Sequence, residues 1–194
     1  MNIGIYVYGQ VEVLDFSGPF EVFTTACRLC ADGEPFNVFL VGENSGVVTA
    51  RAGFRVLADY GINDDHPPLD VLIVAGGMHQ PEMEKPQVMH WIASVSSRAR
   101  LVASVCTGAF LLAQAGVLKT HTVTTHWQDV ADLRALFPLL TVVDNVRWVD
   151  TGDIVSSAGI SAGIDMSLHL VRRLHSHELA SMTARQMDFD WRQH

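Results

Sequence analysis

Short, almost unbroken apolar runs recur along this chain, and each is followed by a stretch with helical spacing. The runs are IGIYVYG (3–9), FNVFLVG (36–42), DVLIVA (70–75) and LVASVC (101–106). A strand with one wet face would alternate apolar and polar residues. A continuous run buries both faces, which requires helices above and below a mostly parallel sheet. In such sheets ligands bind at the carboxyl ends of the strands. Three features fall there: the segment around Asp15, the pair Gly76-Gly77, and Cys106.

Other elements fill in around this frame. Ser17 and Pro19 read as the opening of a helix that places Phe20, Phe23, Cys27 and Cys30 on one face. Residues 47–60 suit a hairpin turning near Ala52-Gly53. Helices are expected over 86–98, over 107–116 with Gly116 as its stop, and over 127–136. Residues 141–159 suggest two or three short strands turning at Thr151-Gly152-Asp153. Ile160, Ile164, Leu168, Val171 and Leu174 mark a long amphipathic helix, and a last helix follows Ser176.

The bulk numbers bound the function. A length of 194 residues suits one domain spanning 1–194, and 48% hydrophobic against 18% charged residues supplies a large core. The N-terminus MNIGIYVYG has no basic region, apolar stretch or cleavage site of a secretory leader, and no apolar run is long enough to cross a bilayer. The expectation is a cytoplasmic protein with no membrane partner. A net charge of −8 argues against a nucleic-acid partner. Three cysteines, an odd number, argue against a disulfide framework. Cys27 and Cys30 (CRLC) read as core residues of a helix in preference to a redox or metal pair. No zinc spacing, GxxxxGK[ST] or GxGxxG occurs, so neither metal nor other cofactor is expected.

Four constellations carry candidate chemistry. In SVCTGAF (104–110) a cysteine ends a buried strand and a helix starts at once, as at a nucleophile elbow. A sulfur held at a helix N-terminus is favoured as thiolate; the alternative is a buried structural cysteine. Gly76 and Gly77 permit close backbone approach and, with the Thr107 amide, an oxyanion-hole-like nest; alone, the pair is an ordinary turn. Asp15, between Leu14 and Phe16, is placed for desolvation, a raised pKa and proton relay to a thiolate, or for helix capping. His126, in VTTHWQD, is either a histidine near Cys106 or one packed at a pocket rim. Residues 78–84 and 144–150 are candidate pocket walls.

The motifs AGG (75–77), SVCTGAFLLAQAGVL (104–118), VTTHW (123–127), SSAGISAGIDMSLHLV (156–171) and LDFSGPFEVF (14–23) together resemble the DJ-1/PfpI superfamily, whose core is shared with class I glutamine amidotransferases. Two subgroups are most similar: isocyanide hydratases and the amidotransferase-like domain of AraC-type regulators. The resemblance implies a flavodoxin-like three-layer α/β/α sandwich and a homodimer. It implies Cys106 as nucleophile, Asp15 as the acid bonded to that cysteine or to the reacting water, Thr107 as the residue after the nucleophile, and Gly76-Gly77 as the oxyanion-side turn. Protease-like members place histidine after the cysteine, where this chain has Thr107. AraC-type regulators continue into a helix-turn-helix domain, which these residues do not contain.

Three functions follow as expectations. The first is hydration of a small electrophile such as an isocyanide through a Cys106 thioimidate. The second is a redox or electrophile sensor, or a regulatory ligand-binding domain, without turnover. The third is hydrolysis of an amide or glyoxal-type adduct, with His126 as the available base.

Overall fold

Seven strands form the central sheet of the computed structural model, which describes residues 1–193. The chain runs β1 (Asn2–Tyr6), α1 (Val13–Leu29), β2 (Asn37–Gly42), β3 (Gly46–Thr49), β4 (Arg55–Ala58), β5 (Tyr60–Gly61) and β6 (Val71–Val74). It continues through α2 (Gln80–Met83), α3 (Pro86–Ser96), β7 (Leu101–Val105), α4 (Gly108–Gln114), β8 (Thr122–Val123), α5 (Val130–Leu136) and β9 (Thr141–Val142). It closes with β10 (Trp148–Asp150), β11 (Ile154–Ser157), α6 (Ala162–Leu174) and α7 (His177–Gln186).

The sheet order is β10-β11-β7-β6-β1-β2-β5. Every pairing is parallel except β10 with β11 at one edge. Strands β6 and β7 are buried throughout, as continuous apolar runs require. Helices α1, α6 and α7 pack together, and α2, α3 and α4 form a second group, giving the three layers. The hairpin β3–β4 turns where expected, with Ala52 and Gly53 at positive φ. Ser176 caps α7 by accepting the Leu179 N–H.

Several boundaries differ from expectation. Helix α1 begins at Val13, so Ser17 and Pro19 lie inside it and do not open it. Ser17 donates to the Val13 carbonyl, a bond possible only within a helix already under way. Asp15 therefore sits in the first turn, inside the helix. Cys30 lies just past the helix end, and it and Cys27 are half-buried free thiols. The segment 127–136 divides into a 3-10 turn (Trp127–Asp129) followed by α5. Ile160 precedes α6 and is exposed.

Candidate active site

Four backbone segments leave the carboxyl ends of neighbouring strands and converge: Tyr8 beyond β1, Gly76-Gly77 beyond β6, Cys106 beyond β7 and Gly159 beyond β11. Cys106 takes φ 56°, a left-handed conformation that a non-glycine residue adopts only where its surroundings force it. Its N–H donates to the Ser157 carbonyl at 3.1 Å, and its carbonyl accepts the Thr125 hydroxyl at 2.8 Å. The turn is possible because Gly108 follows; a Cβ there would lie on the Val74 carbonyl. The expected elbow is present, and Cys106 is 7% exposed.

Asp15 is fully buried beside it. Its Oδ2 accepts the Gly76 N–H at 3.1 Å, while among the described residues Oδ1 has no hydrogen-bond partner. The carboxyl and the Cys106 thiol are close enough to influence each other's proton. Burial, then the charge of Glu12, push the Asp15 carboxyl up to about 7. The expected thiolate is not favoured. Burial and the Asp15 charge push the Cys106 thiol well up, against the lowering effect of the Thr107 amide. Helix α4 is only seven residues long and adds little dipole to oppose them. Because the Asp15 charge is itself a cause of the raised thiol, two neighbouring buried anions are disfavoured and the pair keeps a proton.

The glycine pair serves a different purpose from the one expected. Both amides are engaged within the protein, Gly76 on Asp15 and Gly77 on the Thr107 hydroxyl at 2.9 Å. Thr107 returns a bond to the Gly77 carbonyl at 3.0 Å, clamping the turn. A Cβ on Gly76 would strike Thr107 N at 2.6 Å and Asp15 Oδ2 at 2.7 Å, so only glycine brings these groups together. The turn thus orients Asp15 and Thr107 and does not aim free donors into the pocket.

A cavity of about 370 Å³ opens over the sulfur. Cys106, Thr107, Gly77, Glu12, Arg51 and His126 are among its walls. His126 Nδ1 lies 3.2 Å from Asp129 Oδ2. Residues 78–80 line this cavity, as expected of the 78–84 segment. The 144–150 segment does not line it: Arg147 is turned away to pair with Asp165, and Asp150 pairs with His169 and Arg173.

Sequence reasoning missed three participants. Gly159 leaves the space that His126 and the sulfur share; a Cβ there would lie 2.6 Å from His126 Cδ2 and 2.8 Å from Cys106 Sγ. Asp129 was signalled only by its i+3 spacing from His126. Tyr8 is buried with its hydroxyl unpartnered, and the charges of Asp15, Glu82 and Cys106 join burial in pushing its phenol up. Nothing local in VYGQ marks it.

Comparison with known proteins places nearly the whole chain among relatives of one family. The DJ-1/PfpI family model matches residues 1–173. The isonitrile hydratase of Pseudomonas putida is 34% identical over 190 residues, covering 97% of this chain and 78% of that protein. The HTH-type transcriptional regulator GbdR of Pseudomonas aeruginosa is 29% identical over 93% of the chain, which spans only 48% of the regulator's length. A THiJ/PfpI family protein from Pseudomonas syringae superposes with a TM-score of 0.85 at 24% identity, over 97% of this chain and 75% of that one.

Proposed function

The chain belongs to the DJ-1/PfpI family, and from that premise we propose that it is a cysteine-dependent enzyme that hydrates a small electrophile, with isocyanides as the substrate class. The observation that carries this reading is Asp15: a fully buried carboxyl with an unpartnered oxygen, raised to about 7, beside the thiol of Cys106. A general acid–base works best when its pKa lies near the working pH. Similarity to an isonitrile hydratase over 97% of the chain supports the same class.

The Asp15 carboxylate takes the Cys106 proton as sulfur attacks the terminal isocyanide carbon. Asp15 returns that proton to the carbon, giving an S–CH=N–R thioimidate. Asp15 next removes a proton from water as the water oxygen adds to the same carbon, and delivers that proton to the substrate nitrogen. The C–S bond breaks as Asp15 carries the adduct's hydroxyl proton to the sulfur, and an N-substituted formamide leaves. The sum is isocyanide plus water to formamide. Thr107 and Gly76 hold Asp15 and the elbow in register throughout. The test is formamide production from alkyl isocyanides by wild type and Cys106→Ala. Turnover that vanishes in the variant supports the reading; full activity in the variant sinks it.

Two alternatives rest on particular observations. Similarity to transcriptional regulators supports a ligand-binding role for the same pocket without turnover. In its peroxide-sensing form that role is poorly served by a buried cysteine whose thiol is pushed up. The His126–Asp129 pair beside Cys106 favours a hydrolytic reading. Loss of a measured amidase activity on His126→Ala, with isocyanides untouched by wild type, would select it. Homodimer formation is supported by the hairpin, whose cross-strand pair Val47 and Leu57 are 66% and 62% exposed. Sedimentation of the chain as a monomer would remove that expectation.

A further inference from the structure

A second cavity, of about 520 Å³, lies beside the Cys106 pocket, and His79 and Gln80 line both. Three helices carry their lining from one cavity into the other at helical spacing. Along α4 the lining residues are Thr107 in the first cavity, then Phe110 and Gln114 in the second. Along the turn into α5 they are Asp129 in the first, then Asp132 and Leu136 in the second. Along α2 they are His79 and Gln80 in both, then Met83 and Glu84 in the second. Residues three and seven apart lie on one helix face, so these are single faces extended along one axis. The two cavities are sections of one groove. Its second section runs roughly 10 Å along α4 from the elbow, at 1.5 Å per residue.

The chemistry changes along the groove. Around the sulfur it is polar, with Glu12, Arg51, His126 and Asp129. Farther on, the His79 ring rests on the fully buried Phe110 ring beneath the groove, with centroids 4.2 Å apart. Met83, Ala135 and Leu136 continue the apolar wall, and Leu136 is 60% exposed. The charged residues lining this section, Glu84 and Asp132, are both acidic, and no Lys or Arg among the described residues lines it.

We infer that this second section is a subsite for the apolar arm of the molecule whose electrophilic carbon reaches Cys106. The arm is an uncharged alkyl or aryl-alkyl group several carbons long, and an anionic tail is rejected by Glu84 and Asp132. This deepens the hydration reading, on which its identification of an isocyanide N-substituent rests. Leu136 and Met83 set specificity; they touch the arm and not the reacting atoms.

The test separates the groove from the reaction. Cys106 is alkylated with N-methyl-, N-propyl- and N-pentyl-chloroacetamide, and the modified cysteine is quantified by peptide mass spectrometry. The expected rate at Cys106 rises about 2-fold per added methylene, since a groove open on one side realises about half of full burial. Leu136→Glu, at an exposed position, brings the pentyl-to-methyl ratio down towards one, while Cys27 shows no length dependence in either protein. A length-independent rate at Cys106, or an unchanged ratio in Leu136→Glu, overturns the inference. The same lengths are then compared as isocyanides. Length-dependent labelling with no isocyanide turned over supports the groove and counts against hydration alone.

Discussion

Asp15 and Asp165 invite comparison. Both are fully buried, both lie in the first turn of a helix, and those helices, α1 and α6, pack against each other. Their surroundings differ completely. Asp165 is paired with the Arg147 guanidinium, whose Nε donates to it at 2.8 Å, and Oδ1 accepts the Arg192 N–H at 2.8 Å. Asp15 has one backbone donor, an orphaned oxygen and a thiol. Burial of a carboxyl is thus uninformative by itself. A compensated one holds structure together, and an uncompensated one is poised to move a proton.

The largest expected effect breaks the poised member. Asp15→Asn lowers hydration activity on the order of 10²- to 10⁴-fold, measured as kcat/KM. Its stability should move the other way. The folded Asp15 binds its proton more tightly (about 7) than an unfolded aspartate does, at ~3.9. Stability from this group is therefore complete below about pH 4 and is lost as pH rises to about 7. The asparagine variant stays neutral, so it melts higher than wild type at pH 8 and equally at pH 4. A lower melting temperature at pH 8 would contradict this sign.

Breaking the paired member does the reverse. Asp165→Asn strands Arg147 and costs about 3 kcal/mol by denaturant titration, towards the low end for a buried pair because Arg147 is partly exposed. Activity of the folded fraction is retained. Loss of activity with unchanged stability would mean that the two carboxyls had been assigned the wrong way round.

The smallest effect sharpens the comparison. Tyr8 carries another orphaned polar atom near Asp15. Removing an unpartnered buried hydroxyl leaves no partner behind, so Tyr8→Phe changes stability by no more than about 1 kcal/mol, with any change favourable. A loss above about 2 kcal/mol would show a partner that the static geometry does not.

The parallel sheet was legible because a strand buried on both faces writes itself as an unbroken apolar run, as in VLIV and LVASV. Cys106 was legible because a strand ending one residue before it and a glycine-led helix starting two residues after it form a local pattern. The start of α1 was not. Ser17-Gly18-Pro19 mimics a capped first turn, whereas the true start at Val13 follows Glu12, which makes no capping bond. The thiol's protonation state was hidden for a different reason. It depends on how deeply the sulfur sinks and on Asp15, some ninety residues away in sequence, and helix position alone pointed the other way. Gly159 and Tyr8 join the site purely through topology, from strands β11 and β1 on either side of β6 and β7.

The central claim is that Asp15 is a carboxyl tuned to share a proton with Cys106. It is tested most directly by following the Asp15 carboxyl carbon by NMR against pH, in protein labelled at aspartate and assigned with Asp15→Asn. The account predicts a titration midpoint at about 7, shifted downward in Cys106→Ser, where the deeply buried thiol is replaced by a better hydrogen-bond donor. A midpoint in the ordinary aspartate range near ~3.9 would contradict it.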